Sequence, residues 1–227
     1  MRVSSPLRRL LLGLLIISLS LVVILSLKRW VVEGYEVPTT SMMPTLRPGD
    51  RVWVNKLAYR KKSPQRGDMV VFPQPGTGVL YVKRVVAFPG ERITVLGRMV
   101  YIAGQPMEKI VSQDEKEVTV WGPAWPGDSY MSWATMPDTG AMYRLLHPPV
   151  SIASWRQSGS WLVPQGHLFV LGDSRDDSSD SRSWGSVSQS SIVGKVVCRV
   201  DAGSRSEFPI AGRTTCSPDQ PMTISGS

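Results

Sequence analysis

From Leu10 to Leu27 the chain carries no charge, and small or polar residues such as Gly13, Ser18 and Ser20 only punctuate an otherwise aliphatic run. As a helix rising about 1.5 Å per residue it would reach roughly 27 Å, near the lower limit for crossing a bilayer. Basic residues precede it, as they do in a cleaved secretory leader. The apolar stretch is longer than the usual leader core, however, and Lys28-Arg29-Trp30 follows it with no small-x-small cleavage site. The expectation is therefore an uncleaved anchor over 10–27, with Trp30 at the interface. The arginines and amino group before the run slightly outnumber Lys28 and Arg29 after it. That bias predicts a single pass, with 1–9 in the cytoplasm and the rest of the chain on the outer side of a cell membrane.

The same residues account for most of the charge. The formal balance is +8, from 26 basic and 18 acidic groups. Arg2, Arg8, Arg9, Lys28 and Arg29 all precede Glu33, the first acid, and without those five the excess falls to +3. Basic residues beside an apolar run serve topology and headgroup contact, so the charge does not indicate nucleic acid. The partner expected from these residues is a phospholipid bilayer, with the chain itself acting as a monomer.

Beyond the anchor the pattern is β. Arg51–Asn55 alternates polar and apolar, Met69–Phe72 is a short apolar run ended by Pro73, and Val79–Ala87 is rich in β-branched residues. Ile93–Val95 and Met99–Ile102 flank Gly97 as a hairpin would. His167–Leu171 and Ile192–Val200 read as two later strands. The fold class predicted is mainly β: a main domain over 30–103 and 163–200, interrupted by an insert at 104–162. That insert holds Trp121, Trp125, Trp133, Trp155 and Trp161 among many Pro, Gly, Ser and Met residues. It reads as an irregular subdomain with a small core of its own, or else as an apolar surface resting on lipid. Residues 201–227 read as a polar tail. Cys198 and Cys216 form one disulfide or stay as two unrelated thiols; spacing does not choose between them.

Chemistry is suggested by Ser41, just after the anchor, and Lys83, inside a β-patterned run. A serine hydroxyl needs a neighbouring base, and the two histidines, His147 and His167, sit in a loop and at a strand start. No spacing of His and Cys suits a metal, and no cofactor motif occurs. A lysine can act as the base only when neutral, which requires burial to lower its pKa from about 10.4. Tyr81, Val82, Val85 and Val86 supply apolar surroundings, while alternation sends Arg84 to the opposite face.

The wording around these residues closely resembles the bacterial type I signal peptidase family. Ser41-Met42-Met43-Pro44-Thr45-Leu46, Arg66-Gly67-Asp68-Met69-Val70-Val71-Phe72, Tyr81 to Glu91, and Gly172-Asp173 through Ser181-Arg182 occur in that family's order. The resemblance implies a β-barrel-like, partly coiled catalytic domain and a Ser/Lys endopeptidase that removes signal peptides from secreted preproteins after small-x-small sites. It assigns Ser41 as nucleophile and Lys83 as general base. Ser178 would orient the amine, and Thr39 would join the Ser41 N–H in holding the oxyanion. Asp180 and Arg182 would form a supporting ion pair, with Asp173 and Arg175 holding the turn. Thr39 stands where serine is common, and Ser174 and Asp177 replace asparagines. A carboxylate at Asp177 facing Lys83 would favour the charged amine. The family also contains accessory or conjugation-associated peptidases, and a non-catalytic tethered domain that binds extended peptides is the alternative from another class. Such a binder would be expected to have lost one of the chemical groups present here.

Overall fold

The computed structural model describes residues 5–97, 99–107, 109–114, 130–136, 142–147 and 157–202. Trp121, Trp125, Trp155, Cys216 and nearly all of the 201–227 tail lie outside the described residues, as do the side chains of Trp30 and Trp133.

Helix α1, Ser5–Val31, covers the apolar run and continues past it. Its large aliphatic side chains from Leu10 to Val22 are exposed, so that stretch packs against no core among the described residues. Ser18 and Ser20 return their hydroxyls to the carbonyls of Leu15 and Ile16, at 2.9 and 2.8 Å, which hides two polar groups within the helix. Side chains along α1 are described only as far as Val22 before Val31, and among the described residues no helix is long and apolar enough to cross a membrane. Val31 passes directly into strand β1, Val32–Glu36.

The remaining strands are β2 (Arg51–Asn55), β3 (Met69–Pro73), β4 (Leu80–Ala87), β5 (Arg92–Leu96), β6 (Met99–Ile102) and β7 (Gln105–Pro106), followed by β8 (Lys109–Asp114), β9 (Tyr130–Thr135), β10 (Met142–His147), β11 (Gly159–Leu162), β12 (His167–Leu171), β13 (Val187–Ser188) and β14 (Gly194–Val200). A short helix α2, Ser181–Trp184, lies between β12 and β13. The main sheet has the order β1-β2-β14-β3-β4-β12-β13, and every strand pair described is antiparallel. The chain is therefore mainly β, as its patterning predicts. Among the described residues no pairing joins the two edge strands, so the barrel-like closure expected of the sheet is not seen.

Gly97, with φ 57°, turns β5 into β6 as the sequence predicts. The insert differs from its expectation. Instead of irregular chain it supplies β8, β9 and β10 as a three-stranded antiparallel sheet, and β11 pairs with β5. Nor is its apolar surface kept to itself. Ala134, Met136, Tyr143 and Leu145 share a cluster with Val86, Phe169 and Leu171, and Trp161 lies 5.3 Å from the Phe169 ring. Polar and proline-rich linkers gave this region the look of a loop, while its short strands are stabilised by packing on β4 and β12.

β4 is the strand on which the packing converges. Val86 and Ala87 enter the cluster shared with the insert, and Val82 packs against a second cluster built on Met42, Leu46 and Val54. Val85 joins a third, with Val70, Phe72 and Leu168. Each fully buried Val, Leu or Phe contributes about 1.5–3 kcal/mol relative to exposure. A strand covered on both faces loses the alternation that would mark an outer face, and Lys83 and Arg84 are both buried within it, at 2% and 5% exposure.

Candidate active site

Ser41 lies in the connection from β1 to β2. That connection is closed at its base by paired backbone bonds between Val37 and Asp50 and between Gly49 and Val37, each 2.8 Å. Within it Leu46 N–H reaches the Met42 carbonyl at 2.9 Å, and both side chains are plugged into the core. Ser41, immediately before Met42, is thereby fixed at the rim rather than left on a free loop.

Lys83 approaches from the central strand, where it sits opposite Val70 of β3. Its Nζ lies 2.5 Å from Ser41 Oγ and 5.2 Å from the centre of the Tyr81 ring. Burial lowers the Lys83 pKa from 10.5 to about 8, against opposing pulls from Asp180, Asp173 and Asp177, and with a further lowering from Arg182. Desolvation outweighs three carboxylates because none of them contacts the amine. A substantial neutral fraction is therefore present near pH 8, and a neutral amine can accept the serine proton. Thr39 Oγ1 stands 3.1 Å from Ser41 Oγ, and the Ser41 N–H has no acceptor among the described residues.

The third side of the site is the segment after β12. Gly172 N–H donates to Asp180 Oδ2 at 3.0 Å, and Ser174 N–H donates to the Ser41 carbonyl at 3.1 Å. Glycine is required here by space: a Cβ at Gly172 would strike both the Ser178 hydroxyl and the Ser41 carbonyl. Asp180 and Arg182 face each other as an ion pair, with Arg182 Nε and Nη2 donating to the two carboxylate oxygens at 2.8 and 2.7 Å. The same carboxylate accepts the Arg182 N–H at the start of α2.

The remaining assignments fall differently. Ser178 is buried beside Gly172, yet its hydroxyl has no hydrogen-bond partner; the bond to Lys83 that the resemblance implies is absent. Asp173 is paired with Arg84 rather than with Arg175. Arg84 Nε and Nη2 donate to its two oxygens at 2.8 and 2.6 Å, and Thr45 Oγ1 adds a third bond at 2.5 Å. Arg175 instead donates to the Gly172 carbonyl at 3.2 Å and toward the Tyr143 hydroxyl at 3.4 Å. Asp177 points outward and accepts a hydrogen bond from Thr40 Oγ1; its pull on Lys83 ranks behind those of Asp180 and Asp173.

Sequence reasoning missed Arg84 and Thr45 as parts of this site. Two adjacent cations in an apolar strand were a usable signal, since alternation cannot send both to water when both faces are covered. Arg84 also lies 4.3 Å over the Tyr143 ring and donates to the Gly67 carbonyl at 2.8 Å, so it ties the insert and the β3 entry to the acidic segment. The histidines take no part in what is described: His167 Nδ1 lies 3.0 Å from the Gln165 carbonyl. Among the described residues no group of His, Cys, Asp and Glu could hold a metal ion. Cys198, on β14, is disulfide-bonded.

Comparison with known proteins finds relatives along most of the chain. The family model described as signal peptidase, peptidase S26, matches residues 9–200. Signal peptidase I of Leptolyngbya laminosa is 32% identical over 206 residues, covering 87% of this chain and 81% of that protein. A probable signal peptidase I-1 of Synechocystis is 32% identical over 198 residues, covering 84% and 82%. A crystal structure of a signal peptidase I from Enterococcus faecalis shares 30% identity, covers 60% of this chain and 97% of that one, and superposes with a TM-score of 0.36.

Proposed function

Because this chain belongs to the signal peptidase S26 family, we propose that it cleaves signal peptides from translocated preproteins, with Ser41 as nucleophile and neutral Lys83 as general base. The observation that carries the reading is the 2.5 Å approach of Lys83 Nζ to Ser41 Oγ, with the amine pKa brought down to about 8 by burial. Lys83 takes the Ser41 proton as Oγ attacks the scissile carbonyl, then passes it to the departing amine. It next deprotonates the water that releases the acyl group from Ser41. The free Ser41 N–H and the Thr39 hydroxyl would meet the oxyanion, and one such donor is typically worth about 2.7–4 kcal/mol in the barrier.

The substrate would bind as an extended strand. β12 pairs with β4 only from Arg84 to Ala87, so among the described residues Leu80–Val82 has no strand on the side away from β3. A peptide laid along that edge would gain backbone hydrogen bonds just before Lys83. Small-x-small selectivity is part of this proposal. So is α1 as a single-pass anchor with the catalytic part outside, which its exposed aliphatic side chains from Leu10 to Val22 and internally bonded serines support.

The test is cleavage of a preprotein with an Ala-x-Ala site, in detergent, by the intact protein and by Ser41→Ala, with the cut located by product mass. A cut directly after the second alanine that Ser41→Ala does not make is the expected result. A cut made equally by Ser41→Ala, or none by the intact protein, overturns the reading.

A further inference from the structure

The turn that follows β2 concentrates cations at one end of the sheet. From Lys56 to Arg66 the chain holds Lys56, Arg60, Lys61, Lys62 and Arg66 with no acidic residue among them. Two of the five are committed elsewhere: Lys56 to Glu33 at 2.9 Å and Arg66 to Glu91 at 2.7 Å. Arg60, Lys61 and Lys62 are exposed, and no carboxylate pairs with them among the described residues. Leu57 beside them is an exposed aliphatic side chain.

The turn is held in shape from inside. Tyr59 donates its hydroxyl to Asp68 Oδ2 at 2.9 Å, Gln65 N–H donates to the same oxygen at 3.0 Å, and Lys195 pairs with Asp68 Oδ1 at 2.6 Å. Its position is set by register. Val32, the first residue of β1, faces Asn55, the last of β2, and Lys56 N–H donates to the carbonyl of Val31, the last residue of α1, at 2.9 Å. The turn that carries the cations therefore starts where the apolar helix meets the sheet, its first residue, Lys56, bonded to the helix end whose last turns already carry Lys28 and Arg29.

We infer that the Leu57–Lys62 turn is a docking surface for anionic lipid headgroups: Arg60, Lys61 and Lys62 neutralise phosphates, and Leu57 rests at the acyl boundary. This rests on α1 being the anchor, since the helix is what brings the turn to the bilayer surface. Cations near such a surface gain from its negative potential, and the gain fades within a Debye length. A rigid turn places three of them together without the ordering cost a free loop would bear.

The experiment labels amines of the full chain in bilayers of phosphatidylcholine alone or with added phosphatidylglycerol, and reads acylation at Lys61 and Lys62 by mass spectrometry. Phosphatidylglycerol should slow labelling at both by about fivefold, the factor that roughly 1 kcal/mol per cation implies, and high salt should restore it. Equal labelling in the two bilayers overturns the proposal. So does equal protection by inorganic phosphate over pure phosphatidylcholine, which would make the turn a phosphate site. Flotation with phosphatidylcholine vesicles reads the anchor separately. If the chain fails to float, α1 is not the anchor, and the turn is then judged by binding to phosphatidylglycerol vesicles. Binding lost in the Arg60→Gln, Lys61→Gln, Lys62→Gln variant upholds the turn, and binding retained refutes it.

Discussion

The two faces of β4 bury two cations and treat them in opposite ways. Arg84 meets a carboxylate at both ends of its fork, accepts cover from the Tyr143 ring, and is held charged: burial acts to lower its pKa, but Asp173 more than reverses that. Lys83, one residue earlier and equally covered, meets only a hydroxyl at contact distance, and burial prevails. Burial alone thus does not make a base. What separates the two is the placement of carboxylates: Asp173 touches Arg84, while Asp180, beside the amine, is already taken by Arg182. Arginine suits the first role because it stays protonated and matches a carboxylate with two parallel bonds. Lysine suits the second because its pKa yields to desolvation.

The strongest way to break this comparison is to remove the amine. Lys83→Met should lower the single-turnover cleavage rate by about 10²–10⁴, the usual worth of a positioned base. Lys83→Arg should be as inactive, since a guanidinium does not give up its proton; activity in either variant would remove lysine from the mechanism.

Stability should move in opposite directions for the two neighbours. Arg84→Met leaves Asp173 buried without its cation and should cost about 3–5 kcal/mol, seen as a lower denaturant midpoint. Lys83→Met should instead stabilise at neutral pH. The folded pKa is about 8 against 10.5 for the free side chain, so the unfolded chain binds more protons between those values. Stability from this group therefore rises with pH across that window, and its penalty, about 3 kcal/mol, is complete below it. The gain in Lys83→Met should shrink toward pH 10.5. Loss of stability in both variants at neutral pH would mean that the two burials are alike.

The pH dependence of cleavage is a finer reading. With chemistry limiting, the rate should climb through about pH 8 as Lys83 loses its proton, and a flat profile there would exclude a titrating lysine. Asp177 is exposed and favours the charged amine. Asp177→Asn should therefore shift the climb to lower pH by roughly a few tenths of a unit, the scale of a solvent-screened pair. A shift to higher pH would contradict the sign.

Much of this contrast could be anticipated from residues close in sequence. Alternation gave β2, a glycine between two apolar runs gave the β5–β6 hairpin, and a lysine among valines announced a buried amine. The lost parts depended on distant partners. Asp173 is 89 positions from Arg84, and nothing near either shows which cation it will meet. β1, Val32-Glu33-Gly34-Tyr35-Glu36, has too little apolar pattern to read as a strand and is made one by pairing with β2. The insert failed for a related reason: its strands are short, lie between Pro- and Gly-rich links, and draw their support from side chains of β4 and β12. Ser178 shows the limit of resemblance, because the residue is present and buried while its hydroxyl reaches no partner.

The joint between α1 and β1 has a mechanical consequence. Val31 closes the helix and Val32 opens the sheet, and Lys56 clasps the joint from the neighbouring strand. With no residue of slack, the sheet cannot swivel independently of the helix end, as a domain on a flexible tether would. Whatever fixes the helix end fixes the height and bearing of Ser41, so the proposed nucleophile would work at a set reach rather than sweeping a volume. Glycines spliced in after Val31 would convert that mount into a leash, and the reach would become a distribution.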